Sequence, residues 1–243
     1  MTLQGRVVLV TGGARRVGQA IALALARRRA HLVISYRTSS REALLTVKAL
    51  EGYGASAMAV RANLSRPSDV RRMMERIRRR YGRLDILVNS AANFERTPFA
   101  SLSERDWDRA LDTNLKGPFL CALYASRLMR PRGGKIINLA DWAGVRPYRD
   151  YLPYCVSKAG VIGLTKALAK ELAPTIQVSA IAPGPILPPG GMSARARARV
   201  VRRVPLKRWG SPQDIANTVL FLIEGTDFMT GSCVFVDGGQ LIA

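Results

Sequence analysis

Short apolar runs rich in Val, Ile and Leu alternate along the chain with longer stretches whose apolar residues recur at three- and four-residue spacing. That alternation predicts repeated βα units joined into a parallel sheet. The apolar runs place strands at 6–10, 31–36, 56–61, 84–88, 134–139, 176–181 and 233–237, and the helical period places helices at 16–29, 40–52, 67–81, 104–130, 154–173 and 212–224. The stretch 104–130 reads as one long helix perturbed at Gly117-Pro118, because a proline inside a helix removes a hydrogen bond and bends the axis. The segment 183–210 opens with Pro183, Gly184, Pro185, Pro188, Pro189, Gly190 and Gly191, which forbid a regular element there. A long loop in a compact domain is usually functional, so a substrate-covering flap is expected at 183–210.

At 243 residues the chain suits a single doubly wound α/β domain, residues 1–243, with a seven-stranded parallel sheet and helices on both faces. Its 48% hydrophobic and 23% charged residues are those of an ordinary globule. No apolar run reaches the roughly 18 residues of a membrane span. The first strand starts so near Met1 that no leader fits before it, and a cytoplasmic location is expected. Cys121, Cys155 and Cys233 are an odd, scattered set without metal-ligand spacing, so they read as buried thiols and no metal site is expected.

Charge adds one anomaly. The formal net charge is +21, mostly from arginines clustered at 27–29, 71–80 and 195–203. These clusters lack the interleaved aromatics of a nucleic-acid surface, so compositional bias toward Arg is the preferred reading and no nucleic-acid partner is expected. Such a field still attracts anionic cofactors or acidic carrier proteins.

Candidate chemistry sits at two places. Val7-Val8-Leu9-Val10 runs into Thr11-Gly12-Gly13-Ala14-Arg15-Arg16-Val17-Gly18 and then into a helix. A glycine turn between strand and helix N-terminus presents free N–H groups and a positive dipole to a phosphate. After the second strand stands Ser35-Tyr36-Arg37-Thr38-Ser39-Ser40, with no carboxylate before Glu42. A free ribose 2′-hydroxyl calls for an acid there and a 2′-phosphate for Arg and hydroxyls, so NADPH is expected. The second place is Tyr154-Cys155-Val156-Ser157-Lys158, where Tyr and Lys at i and i+4 share a helix face. An ammonium beside a phenol lowers its pKa from about 10, which makes it a usable acid or base. His31, the sole histidine, starts the second strand and reads as structural, and Cys155 reads as buried rather than nucleophilic.

Thr11-Gly12 through Gly18, Asn89-Ser90-Ala91-Ala92, Asn114, Tyr154 with Lys158, and Pro183-Gly184 stand in one order from end to end. With these motifs the chain resembles the classical short-chain dehydrogenase/reductase family. The resemblance implies a homotetramer with a Rossmann-like sheet. It implies cofactor contacts at Gly12, Arg15, Arg16, Val17, Gly18, Tyr36, Arg37, Thr38, Ser39, Asn63, Leu64, Asn89, Ala91, Tyr154, Lys158, Pro183 and Gly184, with Asn114 anchoring a proton-relay water. Two departures stand out. The family's catalytic Ser, thirteen residues before the Tyr, is here Asp141, and a glycine of the turn is Arg16. Both, with Asn93-Phe94 and Ile186-Leu187-Pro188-Pro189, resemble the pteridine reductase branch, including its bacterial members. That branch implies reduction of a pteridine, such as a dihydropterin or dihydrofolate, with Arg16, Phe94, Asp141, Tyr154 and Leu187 on the substrate and Phe94 stacked on its ring. The alternatives are a 3-oxoacyl-carrier-protein reductase and a non-catalytic NADPH-binding or nucleic-acid-associated protein. For Asp141 alone, the alternative is a helix cap or an ordinary loop acid with catalysis lost.

Overall fold

The computed structural model describes all residues, Met1–Ala243. Its sheet has seven strands: β1 (Val7–Val10), β2 (His31–Tyr36), β3 (Ala57–Arg61), β4 (Ile86–Asn89), β5 (Gly134–Leu139), β6 (Ile176–Pro183) and β7 (Cys233–Val236). The strand order is β3-β2-β1-β4-β5-β6-β7, and every neighbouring pair is parallel. This is the single Rossmann-like domain that the alternating pattern predicts.

Parallel strands need crossovers that cover both faces, so the strands are apolar at nearly every position rather than at alternate ones. Val8, Val10, Ile86 and Val88 face one core with Ile21 and Leu25 of helix α1 (Arg16–Arg27), Leu50 of α2 (Ser40–Glu51) and Ile215 of α8 (Pro212–Leu220). Val7, Leu9, Leu87 and Ile136 face the other core with Met73 and Ile77 of α3 (Pro67–Tyr81), Leu120 of α5 (Gly117–Met129) and Leu172 of α6 (Leu152–Leu172). Burying each such aliphatic side chain contributes about 1.5–3 kcal/mol.

Two expectations change. The predicted helix 104–130 is α4 (Glu104–Leu111), a π-helical turn at Asp112–Lys116, and then α5. Pro118 has no N–H for the carbonyl of Asn114, and the wider turn, with Gly117 N–H bonded to Asp112 O, accommodates it without breaking the rod. The expected irregular segment 183–210 contains a ten-residue helix, α7 (Ala194–Arg203). Ser193 caps it by accepting from Ala196 N, and Ala and Arg are strong helix formers. The predicted helix 212–224 likewise ends as α8 followed by a π turn at Phe221–Gly225. No helix is long and apolar enough to cross a membrane.

At the amino edge of the sheet, Asp85 is 1% exposed, accepts from Val7 N at 2.8 Å and pairs with Arg6 at 3.1 Å and with Arg83. Replacing it by Ala orphans the Val7 N–H and leaves two guanidiniums without their anion. Asp85→Ala is expected to lower the urea-unfolding free energy by about 2–3 kcal/mol, discounted because both arginines reach solvent.

Candidate active site

Crossovers lie to one side of β1 and to the other side of β4, so a crevice opens between their carboxyl ends. A cleft of about 760 Å3 lies there. Thr11 fixes its floor, because its hydroxyl oxygen accepts from Ser90 N at 2.9 Å and Ala91 N at 3.1 Å and so ties the two loops together. Gly12 has φ +65°, and a Cβ there would meet Ala91 Cα at 2.9 Å. At Gly18 a Cβ would lie 2.4 Å from the Gly12 carbonyl oxygen. These two glycines therefore keep the turn tight against the start of α1. No side chain caps α1 and no acid lies in its first turn, which leaves its N–H groups for an anion.

Arg16 has φ +56°, the left-handed region that glycine ordinarily fills. A non-glycine residue there costs of order 1 kcal/mol, so this arginine stands at an expensive position on the cleft wall. Arg15, Arg16, Val17, Tyr36, Arg37, Thr38, Ser39, Asn63, Leu64, Ala91, Phe94, Asp141, Tyr154, Pro183, Gly184 and Leu187 all line the cleft, as do Gly12 and Gly18. Arg61, which the sequence reading passed over, stands opposite Tyr36 in the β2–β3 register and donates to the Arg37 carbonyl, adding charge at that end. The cradle, the uncapped helix end and the arginine-rich far end fit a phosphate-bearing dinucleotide.

Three expected residues lie beneath the cleft surface instead. Asn89 is buried, and its amide donates to Asn138 Oδ1 at 2.9 Å, bridging β4 and β5. Asn114 is buried in the π turn, with its side chain accepting from Asn93 N at 2.9 Å and donating to Asn93 O and Ser157 Oγ. It thus clamps the residue before Phe94 to α6. Lys158 is buried, with Nζ donating to the Leu139 carbonyl at 2.7 Å and lying 5.7 Å from the Tyr154 ring centre.

Asp141 follows β5. Its Oδ1 accepts from Ala143 N at 2.8 Å, capping a helical turn at Trp142–Gly144, and its Oδ2 accepts from the Tyr154 hydroxyl at 2.7 Å. It is both a cap and a partner of the phenol. Burial raises the Asp141 carboxyl above the usual carboxylate range. Burial and the nearby Asp141 charge push the Tyr154 phenol well above 10. Burial also lowers the Lys158 ammonium to about 8. The i, i+4 spacing predicts a phenol acidified by Lys158, but the structure reverses the sign, because burial, and after it the Asp141 carboxyl hydrogen-bonded to that hydroxyl, favour the neutral phenol. A neutral phenol beside a carboxyl is suited to giving a proton and being resupplied.

Phe94 is 45% exposed and lines the cleft, with Tyr151 stacked on it at 4.4 Å and 10°, and with Tyr154 edge-on at 4.7 Å. Tyr148, joined by the indole N–H of Trp142, completes an aromatic wall. Tyr148 and Tyr151 escaped the sequence reading because loop aromatics carry no periodicity. Trp142 and Cys155 are buried as packing groups, and His31 accepts from Ser56 N and stacks on Tyr81 at the opposite edge.

A parallel sheet with this turn, and a Tyr and Lys on one helix over the crevice, defines a nicotinamide-dependent oxidoreductase. Residues 12–240 match the profile of the family described as enoyl-(acyl carrier protein) reductase. The chain is 36% identical over 237 residues to 3-oxoacyl-[acyl-carrier-protein] reductase FabG of Staphylococcus epidermidis, covering 96% of this chain and 97% of that one. It is 37% identical over 244 residues to 3-oxoacyl-[acyl-carrier-protein] reductase of Synechocystis, covering 99% and 98%. A blue fluorescent protein from a metagenomic library, solved in complex with NADPH, superposes with a TM-score of 0.92 at 32% identity over 99% of both chains. The chain belongs to the classical short-chain dehydrogenase/reductase family.

A buried carboxyl whose pKa rises on folding contributes stability below its unfolded value, and that stability is lost as pH rises through the folded one. Asp141→Asn should therefore stabilise the protein relative to wild type at pH 8, with the difference closing toward pH 4 in thermal melts.

Proposed function

We propose that this oxidoreductase reduces a pteridine with NADPH. The observation that carries the reading is the 2.7 Å bond from the Tyr154 hydroxyl to Asp141, beside an exposed Phe94. When bound in the cleft, the reduced nicotinamide supplies a hydride. Tyr154 stands to give its phenolic proton to the ring nitrogen next to the reduced carbon, and Asp141, whose carboxyl is biased by burial toward its protonated form, takes a proton from solvent in the cleft and passes it back to the phenolate. Lys158, held on the Leu139 carbonyl, balances the negative charge the pair acquires in transit. Phe94 offers a face to a flat heterocycle, and Arg16 on the cleft wall would bridge cofactor phosphate and ring edge. Leu187 and Met192 of the segment 183–210 line the cleft and would cover the ring. Arg37, Thr38 and Ser39 support NADPH over NADH, since no carboxylate precedes Glu42.

The second reading is reduction of a 3-oxoacyl thioester on an acidic carrier protein. The relatives named above carry that activity in their names, and whole-chain similarity backs it better than it backs the pteridine reading. Against it stands Asp141 where the family resemblance calls for Ser.

NADPH oxidation measured with 7,8-dihydrobiopterin, dihydromonapterin, dihydrofolate and a 3-oxoacyl thioester separates the two. Turnover of a pteridine is expected, and turnover of the thioester alone overturns the first reading. Tyr154→Phe should lower pteridine turnover by about 100- to 10,000-fold while leaving NADPH affinity near wild type. In Arg37→Ala, the KM for NADPH is expected to rise about tenfold and that for NADH to stay put, because only the 2′-phosphate contact is lost.

A further inference from the structure

Helix α7 carries five arginines in ten residues and no acid. Arg195, Arg199 and Arg203 follow one another at i, i+4 and i+8, a row with a spacing of about 6 Å along the axis. The adjoining row holds Ala196 and Val200, which are half-buried, and Val200 lines the cleft together with Met192 just before the helix. All five arginines are exposed, and none lies within 4 Å of a carboxylate.

Compositional bias alone would treat all helices alike, and α3 shows the contrast. There Arg72 is paired with Asp69, and Arg78 and Arg79 are paired with Glu75. In α7 like charges at i, i+4 repel with nothing to offset them, on the one helix that edges the cleft mouth from the flap. Lys207, whose ammonium bonds the Arg202 carbonyl, adds a further cation at the carboxyl end of the helix. Val204 is buried and anchors that end, so the row is held in place rather than trailing in solvent.

We infer that the arginine row of α7 binds an anionic extension of the substrate, so that the preferred substrate is a pteridine bearing a chain of several carboxylates that leaves the cleft along Arg195, Arg199 and Arg203. The inference rests on the pteridine reading and adds the substrate's tail to it. Carboxylates match guanidinium forks in bidentate fashion, and a flexible polycarboxylate can engage successive arginines of the row. Each exposed pair is weak and screened by salt, so the preference should grow with tail length and fade at high ionic strength.

The test compares KM for 7,8-dihydrobiopterin, which has no carboxylate tail, with KM for dihydropteroate carrying one, three and five γ-linked glutamates. Wild-type enzyme and the triple variant Arg195→Gln/Arg199→Gln/Arg203→Gln are measured at low and high salt. In the wild type, KM should fall with each added glutamate at low salt. In the variant, KM for the five-glutamate substrate should rise about tenfold, with dihydrobiopterin kinetics and the circular dichroism spectrum unchanged. Arg199→Glu alone should show the same selective loss, which covers any folding defect of the triple variant. Pteridine turnover with no tail dependence, or an equal loss for tailed and tailless substrates, overturns this inference and leaves pteridine reduction standing. Absence of all pteridine turnover, with a 3-oxoacyl carrier protein consumed and impaired by the variant, overturns both.

Discussion

An all-parallel sheet has to be covered on both faces, and nearly everything else in this protein follows from that constraint. Each crossover delivers the chain back to the amino edge, so helices bury the faces and only the strand ends meet solvent. The two apolar cores leave the sheet no exposed face on which to build a site. Polar groups are therefore sorted by edge. The amino edge receives the Asp85 ion cluster, which ties β1 to the segment leading into β4. The carboxyl edge receives Thr11, Asp141, Tyr154 and the loop after β6, and the divergence of crossovers at β1 and β4 makes room among them for a dinucleotide.

Within that crevice, desolvation does the tuning. Asp141, Tyr154 and Lys158 come from two elements, the end of β5 and one face of α6, and burial acts on each of them in the direction that favours its neutral form. The result is a carboxyl and a phenol joined by one hydrogen bond, with the Lys158 ammonium on the same helix face as the phenol. A serine in place of Asp141 would bond the same hydroxyl but, lacking a carboxyl, could not take up and release a proton. The departure from the family pattern therefore changes the chemistry on offer while leaving the fold alone.

Much of this was legible in the sequence because the strands' burial requirement is written in their composition: Val7–Val10, Ile86–Val88 and Ile136–Ile137 read as strands without further context. The glycine turn was legible for a similar reason, since only glycine tolerates the approach of Gly18 to the Gly12 carbonyl. What escaped depends on tertiary surroundings. The π turn arises from fitting Pro118 into a continuous rod, and α7 forms after a glycine- and proline-rich stretch that signals only disorderly backbone. Asn89 and Asn114 read as site residues, and that their side chains turn inward and clamp neighbouring elements was not legible, because sequence spacing says which end of a strand or helix a residue occupies and not where its side chain turns. The sign of the Tyr154 shift is hidden for the same reason: i, i+4 spacing shows Lys158, but neither the burial of the phenol nor the approach of Asp141 from the end of β5.

The remaining tension lies between whole-chain similarity and local chemistry, and they report on different things. Identity of 36–37% to 3-oxoacyl reductases is spread over a scaffold whose sheet, cores and cofactor turn serve any substrate of the family. Substrate choice rests on the few side chains around the reacting bond, and there the chain places a carboxyl against the phenol, an arginine in a glycine's conformation and an aromatic wall. Arg16 is the most telling of these. A left-handed φ on a bulky residue is disfavoured and glycine would fold as well or better there, so the requirements of the backbone do not account for the arginine that lines the cleft wall at this position.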